Sequence, residues 1–552
     1  MKNIEIGLSL FSRKKIFLIL AIITIISLSF RLYLADFSIP VFSDALEYTQ
    51  HSMAQSQGQF LEHPQRHSGW PLFQSPFMYV LNSDNFLDYS NTSKILSIAM
   101  SSLTIIPMYL LSNRYLDPKF SLLVVAIFAF EPRLIQNSVL GFSESLFIFT
   151  MIFSIYFITR NEKKYIILSF ILAGILWWIR PNGFILFPIL AIIYFIKFKF
   201  SILSIRNFLF YSLIFIITVS PFLLQRYEQF GNPMYNWIGE RLWLGDYSHS
   251  RSILPGEKYT AIDFIISNGL QNFIEKFFFN GSINLFSTLA YMMLPYLIIL
   301  TPLGIIFSFK NKISHYSLSP ISIVLIVSIV ISIVPFSVIP DKRLILFLFP
   351  FLMIFSIFTL KYSFQKFNFL HNNSKFFFIL IFCILIITSS IMVSRYEQST
   401  SILENEQMDF TKYLIQNFNG KLLFEPYNTQ KYFNHPMIFE NSEIFLGIKI
   451  TENWKDGDAF FNYPQTNFSR ISVYGTNMNE LLENGEKVGL THIMATSEGT
   501  SFFNFVNQLY FEDKQYPFLI KVYDSKDFNH ENFNVKVFEI DYSKYHSTQS
   551  IP

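Results

Sequence analysis

About eleven apolar stretches, each long enough to cross a lipid bilayer, are strung along the first 394 residues of this 552-residue chain. A chain built that way has few folding options. Inside lipid every backbone N–H and C=O must be bonded within its own segment, so the crossings have to be helices. The segments are residues 16–34, 93–112, 119–136, 143–159, 164–179, 183–198, 206–224, 286–308, 318–336, 343–360 and 376–394. Only 15% of the residues are charged, well below the roughly one quarter usual in soluble domains. A net charge of +3 gives no footing for nucleic acid. The single cysteine, Cys383, sits in an apolar run, which excludes an intramolecular disulfide and a cysteine metal site.

Charge fixes the expected orientation. Arg13, Lys14 and Lys15 precede the first segment, which has no small-x-small cleavage site after it and is taken as a retained span. The positive-inside rule then puts the N-terminus in the cytoplasm. Every second connection should also be basic. The connections carry Arg114 and Lys119, then Arg160–Lys164, Lys197–Arg206, Lys310–Lys312, and finally Lys361, Lys366 and Lys375. The remaining connections face outward: a first loop at 35–92, then Asn137–Glu144, Arg180–Asn182, Gln225–Leu285 and Pro335–Lys342. Residues 1–394 are therefore expected to form a multi-pass membrane domain and residues 395–552 a soluble extracytoplasmic α/β domain. In the latter, GKLLFEPY, THIMAT, FLIKVYDS and NVKVFEIDY have strand character.

The outer loop from Asp36 to Tyr79 is long and polar for a connection between two spans, and such loops tend to carry function. Asp44, Glu47, Tyr48 and His51 stand at i, i+3, i+4 and i+7, one face of a helix. An interfacial amphipathic helix would account for Glu47 and His51. Asp44 is placed where the chain leaves the membrane, which suits a reacting carboxylate. Glu144 opens the fourth segment, where helix capping and the helix dipole offer an alternative explanation. Arg180 and the pair Lys342–Arg343 sit against outer span ends, where cations also snorkel to headgroups. A lipid-phosphate substrate would need such cations. Asp44, Glu47, His51, His63 and His67 could ligate a divalent ion, although Pro64 breaks a helical His pair. Asp456 and Asp458 in KDGD are read as a turn. The sequon at Asn91 is one of three outer N-x-S/T strings.

In order along the chain stand Asp44, YxxHSMAxxxG, GWPLF, a SES motif, LWWIRPNG, FGNPMYNW and DKRLILFLFP. This series resembles the GT-C membrane glycosyltransferases, closest to the dolichyl-phosphate-mannose protein mannosyltransferase and aminoarabinose transferase branch, with an archaeal member in view. The resemblance implies a polytopic α-helical fold in a prokaryotic cell membrane with an outer C-terminal α/β domain. It also implies inverting transfer of a sugar, mannose or another hexose, from a polyprenyl- or dolichyl-phosphate donor to a protein, lipid or glycan acceptor. Asp44 and Glu144 are then the catalytic carboxylates, Asp44 as general base. Arg343 with Lys342 would contact the lipid phosphate. Apart from the resemblance, the residues themselves suggest Glu47, Tyr48, His51 and Arg180 as substrate-lining groups. No cofactor is required and no metal residue is assigned, a divalent ion remaining the alternative.

Two rivals stand beside this reading. An oligosaccharyltransferase shares the topology, but its WWDYG signature has no counterpart after Ser394, where Trp454 lies in ENWKDGD. A lipid or sugar transporter would place its ionisable groups near the bilayer midplane and show internal repeats. Here the charges gather on one face and no repeat is present.

Overall fold

A computed structural model of the chain describes residues 13–41, 44–60, 66–83, 86–236, 239, 242–244, 259–294, 297–310, 312–366, 374–423, 449–450, 461–462, 468–471, 473, 475–497, 503–512 and 516–549. The chain divides into two compact units, the second beginning, apart from two short segments, at Arg395.

The first unit is helical. In order come α1 (Arg13–Leu34), α2 (Asp44–Ser56), α3 (Gly69–Leu81), α4 (Phe86–Leu103), α5 (Ile105–Ser112), α6 (Pro118–Ala129), α7 (Pro132–Val139), α8 (Glu144–Ile158), α9 (Lys163–Ile179), α10 (Leu186–Phe198) and α11 (Ile202–Phe230). The helices Gly281–Met293, Leu297–Lys310, Lys312–Phe336 and Phe349–Lys366 follow. Among the described residues each expected span falls largely on helix, but not every one is a full crossing. Among the described residues five helices are long and apolar enough to span a membrane, or up to six with a bent pair counted as one, and four more apolar helices are shorter. The expected span at 119–136 shows why. Pro132 occupies the first turn of α7, where its missing N–H costs nothing, so the helix stops at Phe130 and restarts after Glu131. The middle of this unit is α6, whose residues from Ser121 to Ala129 are all buried. By contrast α1 buries only Ile23, Ser27, Arg31 and Leu34, one stripe at helical spacing. Its Phe17, Leu18, Ile22 and Ile25 are exposed, as lipid contact requires.

The second unit carries a five-stranded sheet in the order β4-β1-β5-β7-β6. Its strands are β1 (Gly420–Leu423), β4 (Phe468–Ile471), β5 (His492–Thr496), β6 (Leu519–Asp524) and β7 (Val535–Ile540), while β2 (Lys449–Ile450) and β3 (Phe461–Asn462) form a separate ribbon. The pairs β1–β4 and β1–β5 are parallel, and β5–β7 and β6–β7 antiparallel. Strands β1, β5, β6 and β7 lie within the four segments that the sequence marks as strands. One core gathers Leu481, Leu482, Ile493 and Phe538, and a second gathers Phe410, Leu414, Leu422, Val535 and Val537. Two-sided burial makes this an α/β layer. The carboxylate of Glu406, near the end of the helix Ser374–Asn417, accepts the backbone N–H groups of Glu531, Asn532 and Phe533 at 3.0, 2.9 and 2.6 Å and ties that helix to the turn before β7. The string Asp456–Asp458 and Trp454 lie outside the described residues.

Candidate active site

The segment leading to Asp44 is held by α4. Lys94 is buried and its Nζ donates to the carbonyls of Asp36, at 2.6 Å, and Ile39. Asn91 donates to the Phe37 carbonyl at 2.9 Å, and the Ser90 hydroxyl accepts the Val41 N–H at 2.6 Å. Thr49 of α2 shares a hydrogen bond with Ser93. A loop carbonyl with no sheet partner must find a donor somewhere, and here one polar helix face supplies several. Because Asn91 is turned inward to that task, its sequon is not displayed for glycan attachment. The helix α2 is itself packed: Tyr48, Thr49, His51 and Ser52 are all buried. The interfacial-helix explanation for its polar face is therefore overturned.

Asp44, the first residue of α2, has each carboxylate oxygen taken by a different arginine. Oδ1 accepts from Arg66 Nη2 at 2.6 Å, and Oδ2 from Arg343 Nη1 at 2.8 Å. Each guanidinium has a second carboxylate as well. Arg66 Nε donates to Glu47, and Arg343 Nε donates to Asp341 at 2.9 Å. Asp341 caps the short 3-10 helix Lys342–Leu348 by accepting the Arg343 backbone N–H at 2.8 Å, which fixes where the arginine begins. Aromatic rings flank the cations, with Tyr48 at 5.8 Å from Arg66 and Phe142 at 5.1 Å from Arg343.

A second pair completes the cluster. Arg180 leaves α9 in extended conformation ahead of Pro181 and forms an ion pair with Glu144. Its Nη1 also donates to Ser143 Oγ at 3.3 Å. Ser143 precedes α8 but makes no side-chain cap; its hydroxyl serves Arg180 and Tyr48 instead. Capping by Ser143 therefore does not explain this acidic motif. Snorkelling is likewise excluded for both arginines, whose side chains are only 12% and 17% exposed.

The ends that meet here are the start of α2, the end of α9, the start of α8 and the start of the 342–348 turn. Asp44, Glu47, Tyr48, Glu144, Arg180 and Arg343 are brought together as the sequence suggests. His51 is buried two helical turns beyond Asp44. Lys342 is exposed and forms none of the cluster's ion pairs, because adjacent residues of a 3-10 turn point in different directions. Its neighbour Asp341, not Lys342, joins the cluster, as an ion-pair partner of Arg343. Sequence reasoning missed Arg66. The available signal was that Arg66 is the one cation between Asp36 and Tyr79, facing several carboxylates.

Burial pushes the Asp44 carboxyl up, but the charges of Arg66, Arg343 and Arg180 outweigh it and hold the group well below the usual carboxylate range. Burial likewise pushes the Tyr48 phenol up, so it stays neutral. The loop after Arg66 is pinned to the same corner that supplies Arg180. His67 Nδ1 bonds the Trp177 carbonyl at 2.7 Å, and Ser68 donates to Gln225 at 2.9 Å. Gly69 packs so tightly on Trp178 that a Cβ there would lie 2.5 Å from its backbone carbon.

Burial, then the Arg226 charge, lowers the His67 imidazole to about 3 against the pull of the Trp177 carbonyl. The unfolded chain takes up that proton near 6.5, whereas the folded chain waits until about 3. Stability is thus complete above the unfolded value and falls as pH drops through the window between the two. Asp44 adds a loss of the same sign at lower pH. Thermal unfolding of the purified protein across this window is expected to show that slope, with His67→Gln flattening it. Equal slopes in both proteins would remove His67 from the account.

Among the described residues, the donors proposed for a metal are turned to other partners. Asp44 and Glu47 are both engaged by Arg66, and His67 turns Nδ1 to a carbonyl. Among the described residues no group of three or more His, Cys, Asp or Glu side chains is placed to hold an ion. His63 and Pro64 lie outside those residues.

No family model matches this sequence, and no curated protein matches it at a significant level. Solved structures do. The apo oligosaccharyltransferase of Archaeoglobus fulgidus gives a TM-score of 0.56 at 12% identity, over 91% of this chain and 73% of that one. The same enzyme in complex with Zn and sulfate gives 0.54 at 14% identity, over 87% and 68%. ArnT of Cupriavidus metallidurans bound to undecaprenyl phosphate gives 0.49 at 9% identity, over 96% and 98%. At such identities the first two establish architecture alone. They show that this chain shares the fold of the Archaeoglobus fulgidus oligosaccharyltransferase, which agrees with the fold that the resemblance in motif order leads one to expect.

Proposed function

We propose that this protein transfers a sugar, mannose or another hexose, from a polyprenyl- or dolichyl-phosphate donor to an acceptor at the outer face of the membrane, with inversion. The observation that carries this reading is the convergence of Asp44 and Glu144 with three arginines, Arg66, Arg180 and Arg343, from distant parts of the chain. In a single displacement the acceptor oxygen attacks the anomeric carbon as the bond to the phosphate oxygen breaks. The electron pair leaves on the lipid phosphate, and Asp44 takes the acceptor's proton. Phosphate is a good leaving group once its charge is met, so the demand falls on cations rather than on a general acid. Arg343 and Arg66 have the planar fork that suits phosphate oxygens. Glu144 holds Arg180 beside them and adds negative charge where oxocarbenium character develops.

A second reading is favoured by the likeness in fold to an archaeal oligosaccharyltransferase: the same site would transfer a preassembled glycan. Purified protein incubated with radiolabelled polyprenyl-phosphate monosaccharides, and separately with lipid-linked oligosaccharides, separates the two. Label moving only from monosaccharide donors supports the first reading. Movement only from oligosaccharide donors replaces it with the second.

A further inference from the structure

Each arginine on Asp44 is divided between two carboxylates. Arg66 is shared by Asp44 and Glu47, and Arg343 by Asp44 and Asp341. Either guanidinium can therefore leave Asp44 without losing its counter-ion. The three side chains are 16% to 17% exposed, so the shared edge is within reach of an incoming group. A carboxylate with both oxygens bound by charge-assisted hydrogen bonds is a poor proton acceptor. The proposed reaction nevertheless needs Asp44 as a base. A phosphate monoester or diester presents paired oxygens that suit the same forks.

We propose that Arg66 is a donor-responsive positioning residue: the donor's phosphate displaces Asp44 from Arg66 and Arg343, and so releases Asp44 to accept the acceptor's proton. Glu47 and Asp341 keep both guanidinium groups in place during the exchange. This rests on the transfer reaction proposed above and adds an order to it. The donor enters first, and an acceptor arriving alone meets a carboxylate that is already occupied. Among the described residues, the charged and titratable groups around Asp44 include Arg66 from the loop before α3, Glu47 and Tyr48 from α2, Arg343 and Asp341 from the 3-10 turn, and Arg180 with Glu144 from the α8–α9 side.

The direct test is binding of sugar-free polyprenyl phosphate to the purified full chain in detergent, with Asp44→Asn, Arg66→Gln and Arg66→Lys beside the wild type. If Asp44 competes with phosphate, Asp44→Asn binds roughly tenfold tighter. Arg66→Gln binds more weakly, and Arg66→Lys recovers part of the loss. In turnover, the acid limb of kcat, which reports the donor-bound state, lies at higher pH than that of kcat/KM, which reports the free enzyme. Arg66→Gln raises the free-enzyme limb and leaves the other in place. Unchanged or weaker binding by Asp44→Asn overturns the exchange while leaving the transfer reaction standing. Should that variant fail to fold, the wild type decides: an acid limb of kcat that lies no higher than that of kcat/KM overturns the exchange. Wild-type protein that binds no polyprenyl phosphate brings down both readings.

Discussion

Asp44→Asn lowers sugar transfer by roughly a hundred- to ten-thousandfold, the range expected when a general base is removed. Asparagine keeps the shape of the side chain and an oxygen that can accept from one arginine, but it cannot hold the acceptor's proton. The fold should survive, because Arg66 retains Glu47 and Arg343 retains Asp341 as counter-ions. The kinetic signature is distinctive. The loss appears in kcat, and the apparent KM for the lipid donor falls, since the variant no longer competes with phosphate for the guanidinium groups. Comparable expression and melting temperature, measured beside the transfer rate, separate this outcome from misfolding. A variant that transfers sugar at near wild-type rate would remove Asp44 as the base.

Arg343→Ala carries the next largest effect, and it falls on the donor. This guanidinium contacts Asp44 and Asp341 and lies over Phe142. Losing one member of a desolvated charge cluster costs on the order of a hundredfold in affinity. The expected readout is a rise of that size in apparent donor KM, with acceptor dependence little changed. Arg343→Lys should recover only a small part, since an ammonium cannot span two carboxylates or a carboxylate and a phosphate in one plane. An unchanged donor KM in either variant would contradict the phosphate-binding role.

Hydropathy marks where this chain is helical, because spans in lipid admit no other backbone arrangement. It does not mark where a helix breaks. Pro132 was the visible sign that residues 119–136 would split, and it weighs more than the apolar run around it. Asp44, Glu144, Arg180 and Arg343 were legible because charge at the end of an apolar span is costly and calls for a reason. The partition among them was not. Which carboxylate each arginine meets depends on distant chain segments, and Lys342 differs from Arg343 only in the direction that a 3-10 turn gives it. Arg66 was overlooked because it stands in a polar loop, where a cation has no cost to explain. The inward donation of Lys94 and Asn91 was equally hidden, since a loop carbonyl's partner cannot be read from its own segment.

One measurement bears on the central claim without depending on the acceptor's identity. Purified protein is mixed with a radiolabelled polyprenyl-phosphate sugar and a membrane extract as acceptor source, and the label remaining on the lipid is followed over time. Loss of label from the lipid that requires wild-type protein, and that Asp44→Asn does not support, is the predicted result. Label that stays on every lipid-phosphate donor tried, or that leaves equally with Asp44→Asn, would contradict it.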